Sequence, residues 1–136
     1  MPKKTHKAAP RKTKQRAAVL ASLTSALGPL NAQEILRSAS EQSEGLGLAT
    51  VYRHVKALCE AGELAEVHVP GESPRYEPSG RAHHHHFLCT RCARLFEVEG
   101  CPGNLGHLTP AGFRLDRHEI TLMGLCDICH AKAGRG

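Results

Sequence analysis

The chain has 136 residues, with 18 Lys and Arg against 13 Asp and Glu, a formal net charge of +5, six cysteines, ten histidines and no tryptophan. No apolar run approaches the ~20 residues that cross a bilayer, and the basic N-terminus lacks the apolar stretch of a signal peptide, so neither a membrane protein nor a secreted disulfide scaffold is expected. The cysteines then belong to a reducing, cytoplasmic setting where metal ligation is their commoner use, and the positive balance suits an anionic partner.

Residues 1–12 read as a disordered basic arm. Lys3, Lys4, Lys7, Arg11 and Lys12 occur there with no acid, and Pro2 and Pro10 oppose regular structure. Gln15 to Leu27 reads as a first helix with Ala18, Val19, Ala21, Leu23 and Leu27 on its apolar side, stopped by Gly28-Pro29. Asn31-Ala-Gln-Glu34 has the form of a capping box that opens a second helix, running to about Gln42 with Ile35 and Leu36 inward. A third helix covers about Ala49 to Ala61. Leu48, Val51, Val55 and Leu58 make its apolar stripe, Arg53 and Lys56 lie nearly opposite, and Thr50 and Tyr52 flank them. Leu64–Val69 and Arg75–Glu77 are two short strands around the turn Pro70–Pro74. Three helices and a hairpin, with a basic third helix, describe a winged helix-turn-helix over 13–78 whose third helix enters the major groove of DNA.

After a polar hinge at 79–82 the character changes. His83–His86 precede Cys89-x-x-Cys92, a strand-like Leu95–Val98 follows, 100–110 is loop, and Phe113–Met123 alternates as two strands or one bent strand. Cys126-x-x-Cys129 then leads to a frayed end at Ala131–Gly136. The expected class is α+β: an N-terminal winged helix and a small C-terminal α/β domain over 83–136.

Thiolates in C-x-x-C pairs reach one ion from a tight turn. Cys89, Cys92, Cys126 and Cys129 therefore predict tetrahedral zinc with no open position, hence structural rather than catalytic. An iron–sulfur cluster or a dithiol redox pair are the alternatives. Alternation along a strand sends His84 and His86 one way and His83 and His85 the other, so one run can serve two metal sites. Glu77, Glu97 and Glu99 are the acids close enough to join, and His118 is a further candidate; His68 and His107 stay open. Cys59 reads as a buried apolar residue, and His6, His54 and His130 are not expected to be ligands. No phosphate loop, nucleophile motif or His-Glu-x-x-His helix is present, so no enzyme is expected.

In order along the chain, Gly47-Leu-Ala-Thr-Val-Tyr-Arg53, Arg75-Tyr-Glu77, the histidine run with its Cys pair, Gly112-Phe113, His118 and the second Cys pair resemble the ferric uptake regulator superfamily of metal-sensing repressors. Lys14-Gln-Arg16 resembles that family's opening helix motif. The resemblance implies a homodimer on a pseudo-palindromic operator in double-stranded DNA, contacted through Lys14, Arg16, Thr50, Tyr52, Arg53 and Lys56. It implies a regulatory hinge site of Glu77, His84, His86 and Glu97, and a site in the dimerisation domain of His83, His85 and His118. The acid usual in that last site has no counterpart, and Cys101 takes its place in this reading, with His107 as the other candidate. Pro29 stands where iron and peroxide sensors often carry a His, and Ser79 where some zinc sensors carry a Cys. The implied function is repression of metal-uptake genes, with structural zinc and a second regulatory divalent ion, zinc ahead of iron or manganese. The competing reading is a zinc-stapled protein-interaction module without DNA binding.

Overall fold

A computed structural model describes residues 10–134, so most of the basic arm lies outside the described residues. Helix α1 runs Arg11–Thr24. It begins four residues before the predicted Gln15, immediately after Pro10, so Arg11 and Lys12 are helical rather than part of an arm. It also ends before Leu27. The hydroxyls of Thr24 and Ser25 bond back to the carbonyls of Leu20 (2.6 Å) and Ala21 (2.9 Å), a local competition that favours helix ends. Leu27 consequently lies outside the helix and is exposed.

Helix α2 runs Ala32–Ala39, shorter than the predicted end at Gln42, and the expected capping box is present. The Asn31 side chain accepts from the Glu34 N–H (2.9 Å) and the Glu34 carboxylate accepts from the Asn31 N–H (3.1 Å). Helix α3 runs Leu48–Glu60. Val51, Val55 and Leu58 are buried as the stripe predicts, but Leu48 is exposed and His54 is buried in its stead. Strand β1 (Leu30–Asn31) is not legible in the sequence; β2 is Leu64–Val67 and β3 is Arg75–Pro78. They form an antiparallel sheet in the order β1-β3-β2, with Arg75 opposite Asn31 on one side and Val67 on the other. Val19, Leu23, Ile35, Val51, Val55, Leu58, Leu64 and Tyr76 form the core between helices and sheet. This is a winged helix with the β2–β3 hairpin as wing.

The C-terminal unit has β4 (His85–Cys89), β5 (Leu95–Val98) and β6 (Thr121–Gly124), in the order β5-β4-β6. β4 and β5 make an antiparallel hairpin with His86 opposite Glu97, and β6 runs parallel to β4. Two expectations need correction here. No strand forms over 113–120, where Phe113 is exposed and the alternation has no partner strand to fit. Of the predicted frayed end, Ala131–Ala133 form the last turn of helix α4, Asp127–Ala133, which starts because the Cys126 Sγ accepts the Cys129 N–H as an N-cap, and residues 135–136 lie outside the described residues. The second apolar core is small: Val69, Leu88 and Leu95, with Val67 against them. Two of those four residues come from the wing, so this core also joins the units. Among the described residues no helix is long and apolar enough to cross a membrane.

Candidate metal centres

Among the described residues three clusters of metal-ligating side chains form, each with its ligand atoms within 4.8 Å of one another: Cys89, Cys92, Cys126, Cys129; Glu77, His84, His86, Glu97; and His83, His85, Cys101, His118. They group the same residues that the sequence groups. His68 pairs with Glu66 (3.1 Å) on the wing, and neither it, His107 nor Glu99 joins a cluster.

The first cluster is built by the turn after β4 and the N-terminus of α4. Backbone N–H groups of Cys92 and Cys129 point at the sulfurs of Cys89 and Cys126 at 3.5 Å. Hydrogen bonds from backbone N–H groups of the two knuckles lower the Cys89 thiol to about 6 against burial, so this thiol ionises most readily. Burial, reinforced by the neighbouring sulfurs, pushes Cys129 up to about 12. A divalent cation would relieve that conflict by holding all four sulfurs as thiolates, offsetting two of their four negative charges. Four sulfurs from two knuckles fit a closed zinc site, and the meagre apolar core around them fits a domain that leans on metal for stability.

The second cluster joins both units. Glu77 comes from β3 of the winged helix, His84 precedes β4, His86 is on β4 and Glu97 is opposite it on β5. Glu77 Oε2 lies 3.1 Å from His84 Nε2 and 3.3 Å from His86 Nε2, and Glu97 Oε2 lies 3.2 Å from His84 Nε2. The His84 Nδ1 sits 2.8 Å from the Ala82 carbonyl, which accepts its proton. In the neutral ring the Nε2 lone pair then faces two carboxylates. Only an added proton or a metal ion resolves that repulsion. The side chains record the same shortage of positive charge. Burial pulls His84 down, but the bonds to Ala82 and Glu77 outweigh it and raise its pKa above 6.5. Burial and the Glu77 charge raise Glu97, while the histidine hydrogen bonds overcome burial and bring Glu77 to about 2. Glu97 Oε2 is buried with no hydrogen-bond partner among the described residues, and its other oxygen is held by Arg81 at 2.7 Å. Two nitrogens and two oxygens around one point fit a divalent cation of intermediate hardness.

The third cluster lies on the other side of the same strand start. His118 Nε2 is 3.2 Å from His83 Nε2 and 3.0 Å from the Cys101 sulfur. His85 is buried, its Nδ1 accepts the Ile120 N–H (3.2 Å), and its Nε2 has no hydrogen-bond partner among the described residues. Burial and the surrounding imidazoles lower its pKa, so it stays neutral. Three imidazoles and a thiol fit a thiophilic divalent ion. The second and third clusters open into one cleft of about 600 Å³.

The residues expected to contact DNA lie on α1 and α3. Lys14, Tyr52, Arg53 and Lys56 are exposed, and Arg53 donates to the Thr50 hydroxyl (3.1 Å). Arg16 instead pairs with Glu63 at 2.9 Å. Sequence reasoning missed Arg75 and Arg81. Each is an ordinary-looking surface cation until the two units are docked, and only burial or contact across the seam singles them out.

Comparison with known proteins accords with this architecture. The model of the ferric uptake regulator family matches residues 7–123. The ferric uptake regulation protein of Bordetella parapertussis is 31% identical over 103 residues, covering 74% of each chain. That of Neisseria meningitidis is 28% identical over 111 residues, covering 78% of this chain and 76% of its own. Among solved structures, a zinc-bound manganese uptake regulator aligns with TM-score 0.70 at 24% identity, covering 83% of this chain and 88% of its own. The Helicobacter pylori regulator Fur, described as having three functional metal-binding sites, aligns at 0.66 and 22% identity over 86% of this chain and 80% of its own. The chain belongs to the ferric uptake regulator family and is a metal-dependent transcription regulator, not an enzyme.

Proposed function

We propose that this chain is a homodimeric cytoplasmic repressor of metal-uptake genes that grips a pseudo-palindromic operator when a regulatory ion occupies the Glu77–His84–His86–Glu97 cluster. In this reading residues 13–78 bind DNA, 79–82 are the hinge and 83–136 dimerise. The observation that carries it is the composition of that cluster: one ligand from the winged helix and three from the other unit. An ion held by all four binds the closed arrangement more tightly than an open one, and that difference is all a sensor needs. Cys89, Cys92, Cys126 and Cys129 hold structural zinc, and His83, His85, Cys101 and His118 take a further ion. The Cys101 thiol suits zinc in that further site, and Pro29 in place of the histidine of iron and peroxide sensors puts zinc ahead of iron or manganese as the sensed ion, although Glu77 and Glu97 accept the harder two. Lys14, Arg16, Thr50, Tyr52, Arg53 and Lys56 contact the operator, Arg16 by leaving its exposed pairing with Glu63.

A binding titration on a palindromic promoter fragment tests this, with zinc, manganese and iron each set at controlled free concentration. Affinity rises at least tenfold with the cognate ion, and Arg53→Ala lowers affinity about tenfold or more while zinc content is retained. Equal binding with and without every ion would falsify the sensing role.

A further inference from the structure

Arg75 is 2% exposed, a guanidinium almost wholly removed from water. Its Nη1 meets the Glu34 carboxylate at 2.6 Å, the same oxygen that completes the capping box of α2. Its Nη2 donates to the carbonyl of Ala93, the residue after Cys92, which adopts φ 62° in the turn of the first knuckle. One side chain therefore ties the wing strand, the start of α2 and the zinc knuckle together.

Strand geometry extends the consequence. Tyr76 points into the helical core, so Arg75 and Glu77 face the opposite way, toward the β4–β5 hairpin. Arg75 meets that hairpin at its turn, and Glu77 meets it where His86 and Glu97 stand opposite each other. The seam is close along its length. The Glu97 N–H donates to the Leu27 carbonyl (3.3 Å), and a Cβ on Gly28 would overlap the Leu95 carbonyl oxygen and approach the Phe96 Cα to 2.9 Å.

We propose that Arg75 is a positioning residue that couples the four-cysteine knuckle to the winged helix, so that zinc in the knuckle and metal in the hinge cluster strengthen each other's binding. The knuckle is then more than a staple of its own domain. Its fold presents the Ala93 carbonyl that aims β3, and with it Glu77, at the hinge ligands. By linkage the hinge ion protects the knuckle zinc to the same degree. The inference rests on the metal-sensing reading above.

The test uses the zinc-loaded full chain. A zinc-selective chelator is titrated with and without saturating Mn²⁺, and the concentration that strips half the knuckle zinc is read in each case. Paramagnetic resonance of free Mn²⁺ reports uptake separately. In the wild type Mn²⁺ raises the half-stripping concentration about fivefold or more, the range of ordinary allosteric coupling. In Arg75→Met the ratio falls toward one. Gly28→Ala, which leaves every charge in place and needs no left-handed backbone, opens the same seam and also brings the ratio toward one. It carries the test if Arg75→Met fails to fold. No uptake of Mn²⁺, nor of zinc beyond the knuckle ion when zinc is offered in its place, overturns the hinge site and this coupling together. Uptake with a wild-type ratio of one, or with an unchanged ratio in Gly28→Ala, overturns the coupling alone. A lowered melting temperature with the ratio intact makes the seam purely structural and likewise overturns the coupling.

Discussion

Two side chains carry the chemical arguments at the residue scale. His84 has a raised pKa in the metal-free protein because the Ala82 carbonyl and the Glu77 carboxylate favour its charged form over the cost of burial. The sign follows directly. The charged ring stabilises the metal-free fold below 6.5, and that contribution is lost as pH rises through the raised value. Metal needs the neutral ring, so ion and proton compete. Affinity at the hinge falls as pH falls through the raised His84 pKa, and binding below it releases a proton. Calorimetry in buffers of different ionisation enthalpy measures that proton count. A count that stays at zero down to about pH 6, where an ordinary imidazole is already largely charged, rules out this site as the one filled. Cys101 makes a separate prediction. With zinc held in the four-cysteine cluster and cobalt added, a sulfur-to-cobalt charge-transfer band appears in the near ultraviolet. Cys101→Ser removes the band while cobalt still binds the three histidines. Persistence of the full band in the variant would show that Cys101 is not a ligand.

Legibility differs sharply between elements. Asn31 and Glu34 announce α2 because a capping box is local: three residues of spacing contain the whole interaction. Asn31→Ala removes the acceptor for the Glu34 N–H and costs about 1 kcal/mol. For a domain of this size that is a fall of about 4–8 °C in melting temperature, measurable by circular dichroism. A fall under one degree would mean Glu34 is held by Arg75 alone. The Val51–Val55–Leu58 stripe and the cysteine spacing are legible for the same reason, since helical period and knuckle geometry are short-range. The histidine alternation sorts His83 and His85 from His84 and His86, although only His85 and His86 lie within β4. What escapes depends on distant partners. β1 has two residues and exists only because β3 runs beside it. The alternation of Phe113 to Ile120 looks like a strand but finds no neighbour to pair with. Helix α4 is started by a cysteine sulfur, an N-cap outside the usual Ser, Thr, Asp and Asn set.

The whole molecule presents an unfinished surface. Leu122 and Met123 on β6, Leu125 after it and Ile128 on α4 are 38–58% exposed, and among the described residues β6 is an edge strand with its outer side unpaired. Exposed apolar side chains beside an open strand edge are a liability in a monomer and an asset in a self-complementary dimer. Leu122→Glu and Ile128→Glu each place a charge on that face without touching a cluster ligand. Sedimentation shifts both variants from dimer to monomer at micromolar concentration, with the four-cysteine zinc retained. The DNA consequence is quantitative. A dimer spans two half-sites about one helical turn apart, and its second contact is intramolecular. A monomer therefore loses affinity steeply, and it also neutralises half as many phosphates. The slope of log affinity against log salt halves in the variants. A variant that stays dimeric places the interface elsewhere. One that is monomeric with an undiminished salt slope shows that a single winged helix makes all the phosphate contacts, and then the operator needs no palindrome.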